Sequence, residues 1–269
     1  MSTERKYNAI VLAADRRRDD PVALAAGVAA KCLTPIAGTP MVIRVVDALE
    51  HSQRVRSILL CGPTAETLRG SAELANMVSG GRVRWLGPAA TPSASAALAL
   101  AALPDDEPVL LTTGDHALLH PDMVRYFLDQ ASAGACDVAV ALAPHELVRK
   151  TYPRTRRTVL KFRNGHFCGC NLFAFLTPRG RRMAQLWQQV EDQRKKPIRV
   201  IGFVGWGAVA LYALGMLSVA SAAARVSRRT GVSVQVVTMP YAEAAIDVDS
   251  VADLDLVRTI VAQGERGVP

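Results

Sequence analysis

Aromatic residues make up only 5% of this 269-residue chain. No stretch alternates basic with aromatic side chains, so the sequence offers no surface for stacking successive bases, and a nucleic-acid partner is not expected. The five histidines are scattered. The five cysteines form no CxxC pair and meet no His/Cys cluster at ligand spacing, which argues against structural zinc and for free thiols in a reducing compartment. The N-terminus "MSTERKYNAIVLAAD" puts charge where an export signal needs an apolar core, so a cytoplasmic protein is expected. Internal repeats and low-complexity linkers are also missing. A single domain over residues 1–269 is the simplest organisation.

What is abundant is apolar and basic. Hydrophobic residues are 50% of the chain and the formal net charge is +8, which suits an anionic partner. Apolar runs of strand length occur at 8–14, 56–62, 81–87, 107–115 and 136–144, each ending near Gly, Pro or Asp. Helical patterns lie between them at 40–52, 64–76, 93–104 and 120–134. This alternation predicts an α/β fold: a three-layer, Rossmann-like, doubly wound and mostly parallel sheet. Ligands in such sheets bind beyond the carboxyl ends of the strands.

Beyond residue 144 the pattern changes. Region 145–170 is dense in Arg and Lys and ends in a small β-hairpin around Asn164-Gly165. Region 178–230 reads as a helical insertion, with a helix over 178–196 and an uncharged run over 200–224. Ser218 as an N-cap and Gly231 as a stop divide this run. We read it as a buried helical hairpin, with peripheral membrane contact or a homodimer through these helices as the alternative. "VSVQVVTMP" is a further strand and 250–264 a closing helix.

The first strand runs into "LAADRRRDDP", from Leu12 to Pro21. A phosphate loop at this place normally uses glycines to bring backbone N–H groups close to the anion. Here Leu12, Ala13, Ala14 and Asp15 precede Arg16, Arg17 and Arg18, and no Gly-x-Gly follows. Asp19, Asp20 and Pro21 are expected to end the loop and brace the arginines. Next come Lys31, Leu33, Pro35, Gly38, Pro40 and Met41, giving the string K-x-L-x-P-x-x-G-x-P-M.

That string resembles the signature of the MobA-like nucleotidyltransferases. Further segments resemble family elements in the same order. "LLTTGDHALL" is similar to the strand-end motif, with Gly114 beside Asp115 at the metal position. "GPAATPSASAALAL" is similar to the segment whose hydroxyls, here Ser93 and Ser95, approach the nucleotide. "GCNLFAF" is similar to the acceptor segment, with Gly169 and Asn171. "AIDVDSVADL" is similar to the closing element, with Asp249 and Asp247 as further metal ligands. The departure is Asp15, where the family has its first loop glycine.

The resemblance implies transfer of a nucleoside monophosphate from an NTP, CTP or GTP, to a phosphorylated small-molecule or lipid-like acceptor, with Mg²⁺ and release of pyrophosphate. Such chemistry needs screened charge and alignment more than a strong base, which matches a candidate set of carboxylates and cations. Lys31, Arg16 and Arg18 would be catalytic. Leu12, Ala13, Ala14, Asp15, Gly62, Ser93, Ser95 and Gly114 would hold the nucleotide. Gly169, Asn171 and Lys161 would hold the acceptor, and Asp115, Asp249 and Asp247 the metal.

Plainer roles stand beside these. Lys31 can be a solvated lysine, Asp115 a cap for the helix near Pro121, and Asp249 a cap for the closing helix. Asp247 can pair with a surface cation, and Asn171 can satisfy backbone groups. His116 can shape its loop rather than react. The run Arg154, Arg156, Arg157, Lys161 and Arg163 can be a solvated face or a site for an anionic acceptor. Two further functions are a nucleotide-sugar glycosyltransferase, disfavoured because Asp115-His116-Ala117 is not a D-x-D, and a non-catalytic nucleotide-binding module.

Overall fold

A computed structural model describes residues 5–15, 17, 19–192 and 205–265. The strands run β1 (Tyr7–Leu12), β2 (Pro35–Ile36), β3 (Thr39–Pro40), β4 (Val55–Cys61), β5 (Arg84–Leu86), β6 (Val109–Thr113), β7 (Val138–Pro144), β8 (Leu160–Phe162), β9 (Gly165–Phe175) and β10 (Val234–Thr238). All but β2 and β3 form one sheet in the order β10-β7-β9-β6-β1-β4-β5, with β8 paired to β9. β1 sits inside this sheet, parallel to both β4 and β6. Helices cover both faces, which explains a continuous apolar run rather than alternation. β9 is antiparallel to β6 and β7, so the sheet is mixed but mostly parallel.

One face is covered by the helices Met41–His51, Pro121–Ala133 and Val251–Glu265, whose Val45, Leu49, Phe127 and Leu254 join the larger core. The other is covered by Pro92–Ala101 and Pro178–Asp192, through Ala96, Leu100 and Ala184. From β1 the sheet grows through β4 and β5 on one side and through β6 on the other. A crevice therefore opens where β1 and β6 end, at Ala13 and Gly114.

The expected strands and most helices lie where the periodicity puts them, and the differences have local causes. The pattern at 64–76 is two helices, Ala65–Gly70 and Ala72–Ser79. Ser71 leaves helical geometry (φ −112°, ψ 112°) and its hydroxyl caps the second helix at Leu74 N. The helix Pro21–Ala26 was not expected, being too short to show a helical period. Asp20 caps it, accepting from Val22 N at 2.9 Å, so this carboxylate serves the helix rather than an arginine. A helix at His145–Thr151 likewise occupies part of the basic region. The helix read over 178–196 is described to Asp192, and residues 193–196 lie outside the described residues.

The β8–β9 hairpin forms as read, with Phe162 paired to Gly165. Ser218 and Gly231 bound the helix Val219–Thr230 as expected, Ser218 Oγ accepting from Ser221 N and Gly231 taking a left-handed φ of 69°. Another helix, Trp206–Ala213, precedes it, and positions 200–204 of the apolar run lie outside the described residues. The hairpin is not buried as expected. Tyr212, Leu214 and Met216 at its turn are 39%, 71% and 58% exposed. A local period cannot show that the sheet has no remaining face for them. No helix among the described residues is long and apolar enough to cross a membrane.

Asp137 ties three elements together at the start of β7. Its carboxylate accepts from Thr177 Oγ1 at 2.6 Å, beside the helix Pro178–Asp192, and from Ser233 N at 2.8 Å, just before β10. Slight burial pushes its pKa up, but these hydrogen bonds and Arg179 outweigh that and leave it lowered. A lowered folded-state pKa means the contribution is present above the ordinary carboxylate range and lost as pH falls through the folded value. Asp137→Ala is predicted to lower the unfolding free energy by about 1–3 kcal/mol at neutral pH. The gap to wild type should narrow below pH ~4, as denaturant melts at both pH values would record.

Candidate functional site

The first loop leaves the sheet where three strands converge. Ala13 N donates to Cys61 O at 2.9 Å and Gly114 N to Leu12 O at 2.8 Å, carrying the pairing past the strand ends. A Cβ on Gly62 would come within 2.7 Å of Ala14 N, and its φ is +91°. A Cβ on Gly114 would lie 3.2 Å from that of Ala13. These two glycines let neighbouring turns crowd the loop, while Leu12, Ala13, Ala14 and Asp15 themselves line the cleft.

Asp15 has a defined place. Its two carboxylate oxygens accept from the backbone N–H of Lys31 at 3.1 and 3.0 Å. Burial raises its pKa more than that N–H lowers it. The first loop is thereby tied across sixteen residues to the short 3₁₀ turn Lys31–Leu33. A side chain performs a closure that a glycine could not.

That tie fixes the base of the Lys31 side chain, which reaches two carboxylates: Asp115 Oδ2 at 2.5 Å and Asp249 Oδ1 at 3.3 Å. Lys31 and Asp115 are each 15% exposed at the side chain. Burial alone would discharge both. Their mutual attraction outweighs it, so the lysine pKa is raised and that of Asp115 lowered. Asp249 arrives from a segment stitched to the end of β6 by Val248 N donating to Asp115 O at 3.2 Å. Neither aspartate caps a helix here. The helix at Pro121 follows His120, and Ser250 Oγ accepts from Asp253 N.

Asp247 is held differently. Its Oδ2 accepts from Asn171 Nδ2 at 2.8 Å and its Oδ1 from Arg157. Burial first, then the charges of Asp115 and Asp249, raise its pKa to about 6 against the pull of Arg157. Asn171 is aimed by a bulge: between the pairs Val140–Phe173 and Leu142–Gly169 the strand β9 carries extra residues, and Asn171 adopts φ 48°.

These groups surround an open cleft of about 570 Å³. A profile of the MobA-like NTP transferase domain matches residues 6–201. The chain belongs to that family. A hypothetical transferase from Thermus thermophilus is 30% identical over 93% of this chain and 99% of that one, with a TM-score of 0.76. The 2-C-methyl-D-erythritol 4-phosphate cytidylyltransferase of Saccharopolyspora erythraea is 34% identical over 131 residues, which are 48% of this chain and 58% of that protein. The chain thus spans little more than half the length of that curated relative. A CMP:2-keto-3-deoxy-manno-octonic acid synthetase complexed with CTP shares the fold, with a TM-score of 0.60 at 14% identity over 96% of this chain and all of that one.

In this MobA-like protein the remaining expected residues divide. Arg16 and Arg18 lie outside the described residues, while Arg17 between them lines the cleft. Ser93 and Ser95 are buried, and Ser95 Oγ accepts from Ala89 N at 3.0 Å, which shapes the loop whose Pro92 faces the cleft. Gly169 and Lys161 do not line it. His116 is buried, which lowers its pKa to about 4 and keeps the ring neutral. Arg157, read as one of a basic run, is buried and also reaches Asp253 at 2.6 Å.

Trp187 was not anticipated. It stacks on Phe173 at 6.1 Å and 28° and closes the cleft beyond Asn171. A Trp among glutamines on a helix gives no periodic sign that it lines a site.

Among the described residues, five aspartates and two cations line the cleft: Asp15, Asp20, Asp115, Asp247 and Asp249 against Arg17 and Lys31. Against these described side chains a phosphate ligand would be helped by an accompanying cation. Among the described residues no group of three His, Cys, Asp or Glu side chains could hold a metal unaided. Asp115 Oδ1, however, is buried without a hydrogen-bond partner among the described residues. Magnesium commonly takes one or two carboxylates and completes its shell with phosphate oxygens and water, and Asp115 with Asp249 fits that mode.

Removing Arg157 would leave two part-buried carboxylates without their cation. Arg157→Met is therefore predicted to cost about 3–5 kcal/mol of unfolding free energy, measured by chemical denaturation.

Proposed function

We propose that this protein transfers CMP from CTP to a phosphorylated small-molecule acceptor of polyol or sugar type, releasing pyrophosphate. The observation that carries this reading is Lys31 fixed between Asp115 and Asp249 at the ends of the first loop and β6. The names of the cytidylyltransferase and of the CTP-bound synthetase favour CTP over GTP.

A second cleft, of about 970 Å³, shares Ala14, Asp15 and Arg17 with the first and continues past Pro63, Thr64 and Ala89. The nucleoside would lie there, with its phosphates over the first loop. Mg²⁺ held by Asp115 and Asp249 would neutralise phosphate charge. Lys31, released from those carboxylates to the phosphates, would supply positive charge where charge shifts to the departing pyrophosphate. The acceptor phosphate is already a nucleophile. Alignment therefore contributes more than proton removal, and a neutral His116 outside the cleft is consistent with that. Asn171, Phe173 and Trp187 would form the acceptor wall.

The test is pyrophosphate release with Mg²⁺, each of the four NTPs and a panel of phosphorylated polyols and sugars. CTP with one acceptor class should give turnover, and Lys31→Met or Asp115→Asn should each reduce kcat by about 10²–10³-fold or more. Sugar transfer from a nucleotide sugar, or CTP binding without turnover on any acceptor, would count against it. Trp187→Ala should raise KM for the acceptor while leaving KM for CTP unchanged; the reverse pattern would reassign that wall to the nucleotide.

A further inference from the structure

Between Glu146 and Glu243 the only carboxylates are Glu191 and Asp192. This stretch, more than a third of the chain, includes the β8–β9 hairpin and the helical insertion. The hairpin and the described end of the insertion meet at one place. Lys161 N donates to Tyr212 Oη at 3.1 Å, Arg163 N to Leu217 O at 2.9 Å, and Val219 N to Asn164 Oδ1 at 3.0 Å. The Phe162 and Tyr212 rings meet edge-on at 5.8 Å. The turn Leu214-Gly215-Met216 is thus mounted on the β-hairpin by specific contacts and is a defined feature of the fold.

The mounted turn exposes what a core would hide. Residues 212–216 are all exposed, Leu214 and Met216 by more than half. Lys161 and Arg163 beside them are exposed too. Arg149 shares a depression with Asn164 and His166 at the hairpin turn, and Glu146 is the one carboxylate lining it among the described residues. The result is an apolar tip in a basic collar.

Its position also matters. The last pair of β9 with β6 toward the cleft is Phe173 with Leu111, so residues 165–170 of β9 extend beyond the end of β6. The hairpin and the tip therefore stand off the carboxyl-end edge of the sheet, the same edge that opens the cleft.

We infer that this tip docks on an anionic lipid surface, Leu214, Met216 and Tyr212 entering the interface and the basic collar meeting the headgroups. A short apolar projection flanked by Lys and Arg is what interfacial binding requires. A second copy of the chain is the poorer occupant, because docking tip to tip would bring two basic collars together. This surface does not depend on the reaction proposed above.

Vesicle co-sedimentation of the full chain tests it. Phosphatidylcholine vesicles containing phosphatidylglycerol should pellet the protein at low salt, phosphatidylcholine alone should not, and raised salt should release it. The double substitution Leu214→Glu with Met216→Glu should weaken binding by about tenfold or more. Both sites are solvent-facing, so its melting temperature should match wild type, separating lost docking from lost folding. Equal binding to both vesicle types, binding to neither, or unaltered binding by the double variant would overturn the inference. So would a wild-type dimer in sedimentation equilibrium that the double variant converts to monomer.

Discussion

The site depends on one buried ammonium. Lys31 lies between Asp115 and Asp249, which come from opposite parts of the chain, and its own backbone is held by Asp15 of the first loop. Three segments distant in sequence meet at a single side chain. Without that charge, the aspartates that line the cleft would repel one another and any phosphate. With it, Asp115 and Asp249 have a shared counter-charge. Much of the fold can be read as support for this arrangement. The sheet reverses its direction of growth between β1 and β6, the two glycines Gly62 and Gly114 let adjacent turns close on the loop, and the bulge in β9 turns Asn171 toward Asp247.

The second constraint is how Asp247 is kept. Its two oxygens are engaged by Asn171 and Arg157, and burial raises its pKa to about 6. That differs from Asp249, which is 62% exposed at its side chain and touches Lys31. Two aspartates two residues apart thus have different work. Asp249 is available to a ligand, while Asp247 joins the closing segment to β9 and to the basic region after β7.

Most of the fold was legible because buried strands and amphipathic helices leave periods in sequence. The doubly wound, mostly parallel sheet followed from the alternation, and Ser218 and Gly231 marked their helix correctly by capping chemistry alone. The site was legible where it uses strand ends: Asp15, Lys31, Asp115 and Asp249 do come together. It was less so where function rests on tertiary aim. Ser95 carries the right chemistry, but its hydroxyl is engaged by Ala89 of its own loop. Arg157 looked like one of several surface arginines, and only the fold buries it against Asp247 and Asp253. Trp187 and the exposure of Leu214 and Met216 depend on which faces the sheet leaves uncovered, which no local pattern records.

The proposed reaction requires Asp115 and Asp249 to hold a divalent cation together with a nucleotide, in place of the contacts they make to Lys31. Electron paramagnetic resonance of Mn²⁺ measures this directly. Free Mn²⁺ signal should fall well below the level that CTP alone sets when protein is added to Mn²⁺ and CTP, and stay nearly unchanged with protein alone, because two carboxylates paired with a lysine are a weak site without phosphate oxygens. Asp115→Asn should abolish that additional fall. Strong Mn²⁺ binding without CTP, or a ternary complex indifferent to Asp115→Asn, would contradict the account.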